Sequence, residues 1–164
     1  RQRQMCIRDS FRTMSPIQSM INALRDFRQR KDFYVLECVR ENEAVVIDAN
    51  AEEQLFERGE NRLGVSIADY QPYSPVTVEE KRLRGQPYNR VTLRDTGDFE
   101  SSFYIRYMDD GFEITASDWK TDDLVRKYGR EIFGLNRENL DDLVRSYILP
   151  FLREKLVETI NNRK

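Results

Sequence analysis

Two short runs of alternating apolar and polar residues, separated by a turn sequence, constrain the fold of this chain most strongly. The runs FYIRYM and FEITA flank the tripeptide DDG, and Asp-Gly is among the strongest short signals for a β-hairpin. With Asp110 and Gly111 as the loop, Tyr107 would face Ile114 across the two strands. The face predicted to meet a core carries Phe103, Ile105, Tyr107, Phe112, Ile114 and Ala116.

Helical patterns flank this hairpin on both sides. Ser15 is followed by a proline and then by apolar residues at helical spacing, which predicts a capped helix over 16–30. A second amphipathic helix is predicted after Asn136, with a kink near 146–150 because Pro150 lacks the backbone N–H. The fold class is therefore predicted to be α+β, with helices at both ends packed on a small antiparallel sheet.

Two segments between the terminal helices have less definite patterns. Residues 34–58 are favoured as mostly helical and ended by Gly59, although the stretch VVI at 45–47 resembles a strand. From 60 to 90 the periodicity stops, and glycines and prolines interrupt the sequence. This pattern predicts a long, mostly extended arm that wraps the domain or reaches a neighbour.

Composition limits the kinds of site that this chain can build. It has 164 residues and no histidine, which removes the commonest general base and the commonest metal ligand. The opening RQRQMCIRDS resembles a translated sequencing adapter, so we expect 1–10 to add nothing to the fold and 11–164 to form one domain. Cys6 lies in that stretch, which leaves Cys38 without a partner for a disulfide. No apolar run is long enough for a membrane span, so no membrane association is expected.

Two acidic patterns offer metal-dependent chemistry, and neither is favoured. Glu79, Glu80 and Lys81 match the Glu-x-Lys half of a nuclease signature with Asp69 upstream, but that signature needs a strand. A possible magnesium cluster lies in turn and cap sequences, where aspartates ordinarily serve conformation. The residues of that cluster are Asp95, Asp98, Glu100, Asp109 and Asp110.

Three motifs occur in order around the hairpin. They are GVSIADYQPYSPVTVEEK, LRDTGDFESSF and KYGREIFGLN. Their order resembles that of the phage virion-morphogenesis, or tail-completion, family, over roughly residues 50–160. The matching residues are Gly64, Tyr70, Pro72, Ser74, Thr77, Lys81, Leu93, Thr96, Gly97, Phe99, Ser102, Tyr128, Gly129, Phe133, Gly134 and Leu135.

This resemblance implies a non-enzymatic structural protein of a tailed bacteriophage that acts in head–tail joining or tail completion. Such a protein would form a homo-oligomeric ring that contacts neighbouring head–tail connector or tail proteins. It would reside in the virion, be assembled in the host cytoplasm, and need no cofactor, metal or catalytic residue. The alternatives are a small phage-encoded adaptor that binds a host protein and a metal-dependent nuclease.

The tyrosines of the predicted arm are the candidate interface residues. Tyr70, Tyr73 and Tyr88 offer large contact areas at low entropic cost, which suits contacts between subunits. They could also stack on single-stranded nucleic acid, but such sites need a basic groove, and the chain has a net charge of −2. The basic cluster at 81–90 is more typical of a solvated or interfacial loop, so no sequence-specific nucleic-acid binding is expected.

Overall fold

The fold was analysed in a computed structural model, which describes residues 15–109 and 111–162. The predicted adapter-like segment 1–10 lies outside the described residues. The helices are α1 Pro16–Glu41, α2 Glu43–Asp48, α3 Pro75–Leu83, α4 Asp98–Ser101, α5 Thr121–Tyr128, α6 Arg137–Leu143 and α7 Leu149–Asn161. Two π-helical segments, Ala49–Arg58 and Val144–Ile148, continue α2 and join α6 to α7. The strands are β1 Phe103–Met108 and β2 Gly111–Ala116.

The predicted α+β class is confirmed, and the hairpin exists with a different register. Strands β1 and β2 are antiparallel with Tyr107 opposite Phe112 and Met108 opposite Gly111. The predicted pairing of Tyr107 with Ile114 is therefore wrong by two residues, because Gly111 belongs to the strand rather than to the loop. A shift of two preserves the face of every side chain. The predicted inner face is accordingly correct, and Asp110 lies outside the described residues.

Helix α1 begins as predicted and ends later. The Ser15 side chain accepts a hydrogen bond from the Gln18 backbone N–H at 3.2 Å, and proline occupies the first turn. The helix continues to Glu41 instead of stopping near residue 30, because apolar positions keep their helical spacing as far as the buried Cys38 and Val39. Its C-terminal half supplies core residues, and its length packs along α7.

The helical interpretation of 34–58 is confirmed. The stretch at 45–47 lies in α2, so its alternative interpretation as a strand is wrong. The helix ends at Gly59, which has the left-handed backbone angle φ 66° that glycine adopts without steric cost. This continuous helical run places Val46 and Leu55 in the core.

The mostly extended conformation predicted for the arm at 60–90 is corrected, because the arm contains helix α3. Ser74 caps α3 by accepting a hydrogen bond from the Thr77 N–H at 3.1 Å, and Pro75 occupies the first turn. A 3₁₀ turn at Ile67–Asp69 precedes it, and Ile67 is buried. The segment is thus largely a folded part of the domain.

The C-terminal helical run departs from regular α-helical hydrogen bonding just before Pro150. Pro150 cannot donate to the Ser146 carbonyl, and the five residues that end at Ile148 are π-helical. Local π-helical hydrogen bonding is a recognised way to accommodate a disturbed α-helical ladder. In the part of the chain that the structure describes, no helix is both long and apolar enough to cross a membrane.

Candidate interaction surfaces

The first and second motifs are tied together inside the domain. The Tyr73 hydroxyl accepts a hydrogen bond from the Thr92 backbone N–H at 3.1 Å. The Lys81 ammonium donates to the Arg94 carbonyl at 2.5 Å and to the Gln86 side-chain oxygen at 3.2 Å. The arm therefore holds residues 92–94 in place.

Three phenylalanines join the second motif to the third. The rings of Phe99 and Phe103 meet edge to face with centroids 5.1 Å apart, and the rings of Phe103 and Phe133 lie 5.3 Å apart. Beside them, the Ser102 hydroxyl oxygen accepts a hydrogen bond from the Asp118 backbone N–H at 3.1 Å. These contacts fix the hairpin against the turn that leads to α6.

Two buried amide side chains hold the third motif, and sequence reasoning missed both. Asn50 donates to the Ile132 carbonyl at 3.1 Å and accepts from the Gly134 N–H at 3.0 Å. Gln54 donates to the Gly134 carbonyl at 3.0 Å and accepts from the Asn136 N–H at 2.7 Å. We call this pair the amide clamp. Its only signal in the sequence is two amides four residues apart within a helical run, on the face that turns inward.

Several remaining motif residues shape the backbone. Gly97, Gly129 and Gly134 have positive φ angles of 95°, 84° and 106°, a region that favours glycine. At Gly134 a side-chain carbon would lie 3.2 Å from the Arg62 side chain. Tyr128 is buried with 3% exposure. The roles that these motif residues have in the structure are therefore conformational and packing roles.

The acidic residues weighed as metal ligands do not form a cluster among those that the structure describes, and Asp110 lies outside them. Asp95 pairs with Arg84 at 2.9 Å, and Asp98 accepts a hydrogen bond from the Thr96 hydroxyl at 2.6 Å. Among the residues that the structure describes, no group of three potential ligands has suitable geometry for a metal ion. The Glu79-x-Lys81 sequence lies on α3 and not on the strand that the nuclease signature needs.

One carboxylate is buried against an arginine that it shares with a neighbour. Glu100 is 9% exposed and lies 2.8 Å from the Arg94 guanidinium, which also pairs with Glu52 and stacks over the Phe56 ring. Burial raises the pKa of Glu100, and the nearby Arg94 charge opposes that rise. The network links the π-helical segment Ala49–Arg58 to α4.

The three candidate interface tyrosines are placed differently. Tyr70 and Tyr88 are 47% and 48% exposed, so both can contact another molecule. Tyr73 is half-buried against the core, and its hydroxyl is used by Thr92. Tyr73 therefore belongs to the packing of its own domain.

The most exposed apolar surface on α1 lies in its N-terminal half. Ile17, Met20, Ile21 and Leu24 are 73%, 52%, 38% and 42% exposed. They stand at positions i, i+3, i+4 and i+7, which form one continuous face of a helix. We call this set the α1 stripe. The sequence shows the periodicity but does not indicate that the other described residues leave this face exposed.

Comparison of the chain with protein-family models, with curated proteins and with solved structures gives no match. The function must therefore be argued from the surfaces and contacts of the chain itself.

Proposed function

We propose that this chain is a structural protein of a tailed bacteriophage, a ring subunit that acts in head–tail joining or tail completion. The α1 stripe carries the proposal, because an apolar face of four residues on one helix is typical of a protein contact. The order of the three motifs resembles that of this family and supports the same proposal. Their residues contact one another within one scaffold. A virion subunit needs such a scaffold and surfaces for its neighbours.

Burial of the α1 stripe by a neighbour would contribute favourably to assembly. Full burial of an aliphatic side chain is worth about 1.5–3 kcal/mol relative to exposure. Of the four residues, Ile17 is the most exposed, at 73%, and has the most to gain from a neighbour. A ring needs a heterologous contact, in which this face of one subunit meets a different face of the next.

The proposal predicts closed oligomers of the purified chain. Native mass spectrometry and negative-stain microscopy should find rings with a fixed number of subunits. A double substitution of Met20→Ser and Leu24→Ser should shift the population to monomers while leaving the helical circular dichroism unchanged. Leu83→Ser is the matched control, because Leu83 is 79% exposed on α3, away from the α1 stripe.

A strictly monomeric wild-type protein across the whole soluble concentration range would contradict a self-assembling ring. Equal loss of assembly in the stripe variant and in Leu83→Ser would contradict the assignment of the contact to α1.

A further inference from the structure

A cavity of about 280 Å³ lies beside helix α3, where the first and second motifs meet. Its wall includes Tyr73, Lys81, Leu93, Lys127 and Tyr128. The hydrogen bonds described above hold the walls of this cavity in place, but they do not explain why a cavity is kept between them.

Lys81 brings an unusual charge to this cavity. The residue is 6% exposed, and its ammonium contacts two neutral oxygens, those of the Arg94 backbone and the Gln86 side chain. The Tyr73 ring lies 5.1 Å from the same nitrogen. No carboxylate within the described part of the chain forms an ion pair with Lys81. A buried charge is costly unless it is paired, and an ammonium has three N–H donors for the two acceptors found here.

A second cation in the wall also lacks a carboxylate. The Lys127 ammonium lies 4.9 Å from the centre of the Tyr128 ring, and no ion pair to it is found among the described residues. The arginines of the same wall differ, because Arg84 pairs with Asp95 at 2.9 Å and Arg94 pairs with Glu100 at 2.8 Å. The two lysines are therefore the cations available to a ligand.

The backbone of the cavity is strained at one position. Leu93 has φ 58°, and no other non-glycine residue in the described segments has a positive φ. Strain of this kind persists only where the surroundings impose it, and it is frequent at ligand-binding sites. Lys81 donates a hydrogen bond to the carbonyl of Arg94, the residue that follows Leu93. This contact couples the strained turn to the buried charge.

We propose that this cavity binds a single carboxylate, the side chain of an aspartate or glutamate from a neighbouring protein chain, between Lys81 and Lys127. Glu80 also lines the wall, makes no ion pair among the described residues, and would repel a second negative charge, which favours a carboxylate over a phosphate. Leu93 and Leu124 provide apolar contacts for the methylene groups of such a side chain. The identity of the neighbouring chain rests on the proposed function, whereas the carboxylate site itself does not.

Thermal unfolding of the full chain tests the site with defined probes. The probes are acetate, N-acetyl-glutamate amide and inorganic phosphate, each compared with chloride at the same ionic strength. A ligand of the native state raises the unfolding midpoint by mass action. We expect acetate to raise it and the blocked glutamate to act at lower concentration. Phosphate also stabilises proteins by exclusion from their surface, so it should raise the midpoint no more in the wild type than in Lys127→Gln.

The variants separate a built site from general charge effects. Lys127→Gln, at an exposed position, should weaken binding about tenfold through the loss of one charge-assisted contact. Arg82→Gln removes an equal charge from α3, beside Lys81 in the sequence but outside the cavity wall, and should leave binding unchanged. Hydrogen exchange in the presence of the blocked glutamate should slow at 92–95 in the wild type.

The proposal is overturned if neither carboxylate raises the midpoint beyond chloride, or if both variants respond alike. Tighter binding of phosphate would overturn the choice of ligand. These measurements do not depend on assembly, so failure of the carboxylate site and failure of the ring are separate results.

Discussion

The amide clamp should be among the largest polar contributions to stability in this domain. Asn50 is 0% exposed and makes two hydrogen bonds, one to the Ile132 carbonyl and one from the Gly134 N–H. Asn50→Ala leaves the buried Ile132 carbonyl and the part-buried Gly134 N–H without that partner. The loss at the buried carbonyl costs about 1–3 kcal/mol and the loss at the part-buried N–H about 1 kcal/mol, so the expected loss of unfolding free energy is about 2–4 kcal/mol.

Urea denaturation followed by far-ultraviolet circular dichroism measures this loss. Gln71→Ala is the matched control, because Gln71 is exposed, and its substitution should change the unfolding free energy by less than about 0.5 kcal/mol. The double variant Asn50→Ala, Gln54→Ala should lose less than the sum of the single losses, since both amides hold Gly134. Equal stability of Asn50→Ala and Gln71→Ala would refute the reasoning, because the clamp would then contribute nothing.

Three further predictions concern the first ten residues, the tyrosines of the arm and Glu100. Deleting 1–10 should leave the thermal midpoint unchanged, and a fall of several degrees would mean that this segment packs on the domain. Substituting the exposed Tyr70 and Tyr88 with serine should weaken assembly, measured by native mass spectrometry, with little change in thermal midpoint, whereas Tyr73→Phe should lower the midpoint, because the Thr92 N–H loses its acceptor. Burial raises the pKa of Glu100, so the folded protein holds the proton on this carboxyl more tightly than the unfolded chain does. The stabilisation from this proton is greatest at low pH and is lost as pH rises through the raised pKa. Glu100→Gln should therefore flatten the dependence of unfolding free energy on pH in that interval, and an unchanged profile would contradict the assignment.

Local signals in the sequence predicted the beginnings of elements and the faces of the hairpin. The Ser-Pro cap of α1 is confirmed, and the same signature at Ser74 and Pro75 marks α3. The Ser74 cap is not recognised in the sequence, because the surrounding prolines and glycines favour an extended arm. Every second residue of a strand lies on the same face, so the sequence predicts which side chains share a face of the hairpin. The register depends on whether Gly111 lies in the strand or in the loop.

Contacts between distant parts of the chain could not be predicted in this way. The amide clamp joins Asn50 to Gly134, more than eighty residues later, and neither local sequence indicates that the other is its partner. The exposure of the α1 stripe could not be predicted from the sequence either, because an amphipathic period identifies an apolar face without specifying what covers it. Likewise, the buried position of Lys81 depends on the turn at Leu93, whose unusual backbone angle has no sequence signal.

The central claim is that this chain is built into a virion. Its most direct test is peptide mass spectrometry of gradient-purified particles from a phage whose genome carries the gene. The account predicts peptides of the chain in complete tailed particles, at a fixed ratio to the major capsid protein, and their absence from particles made when the gene is deleted. Peptides found only in the soluble fraction of infected cells, with normal tailed particles made in the deletion, would contradict it.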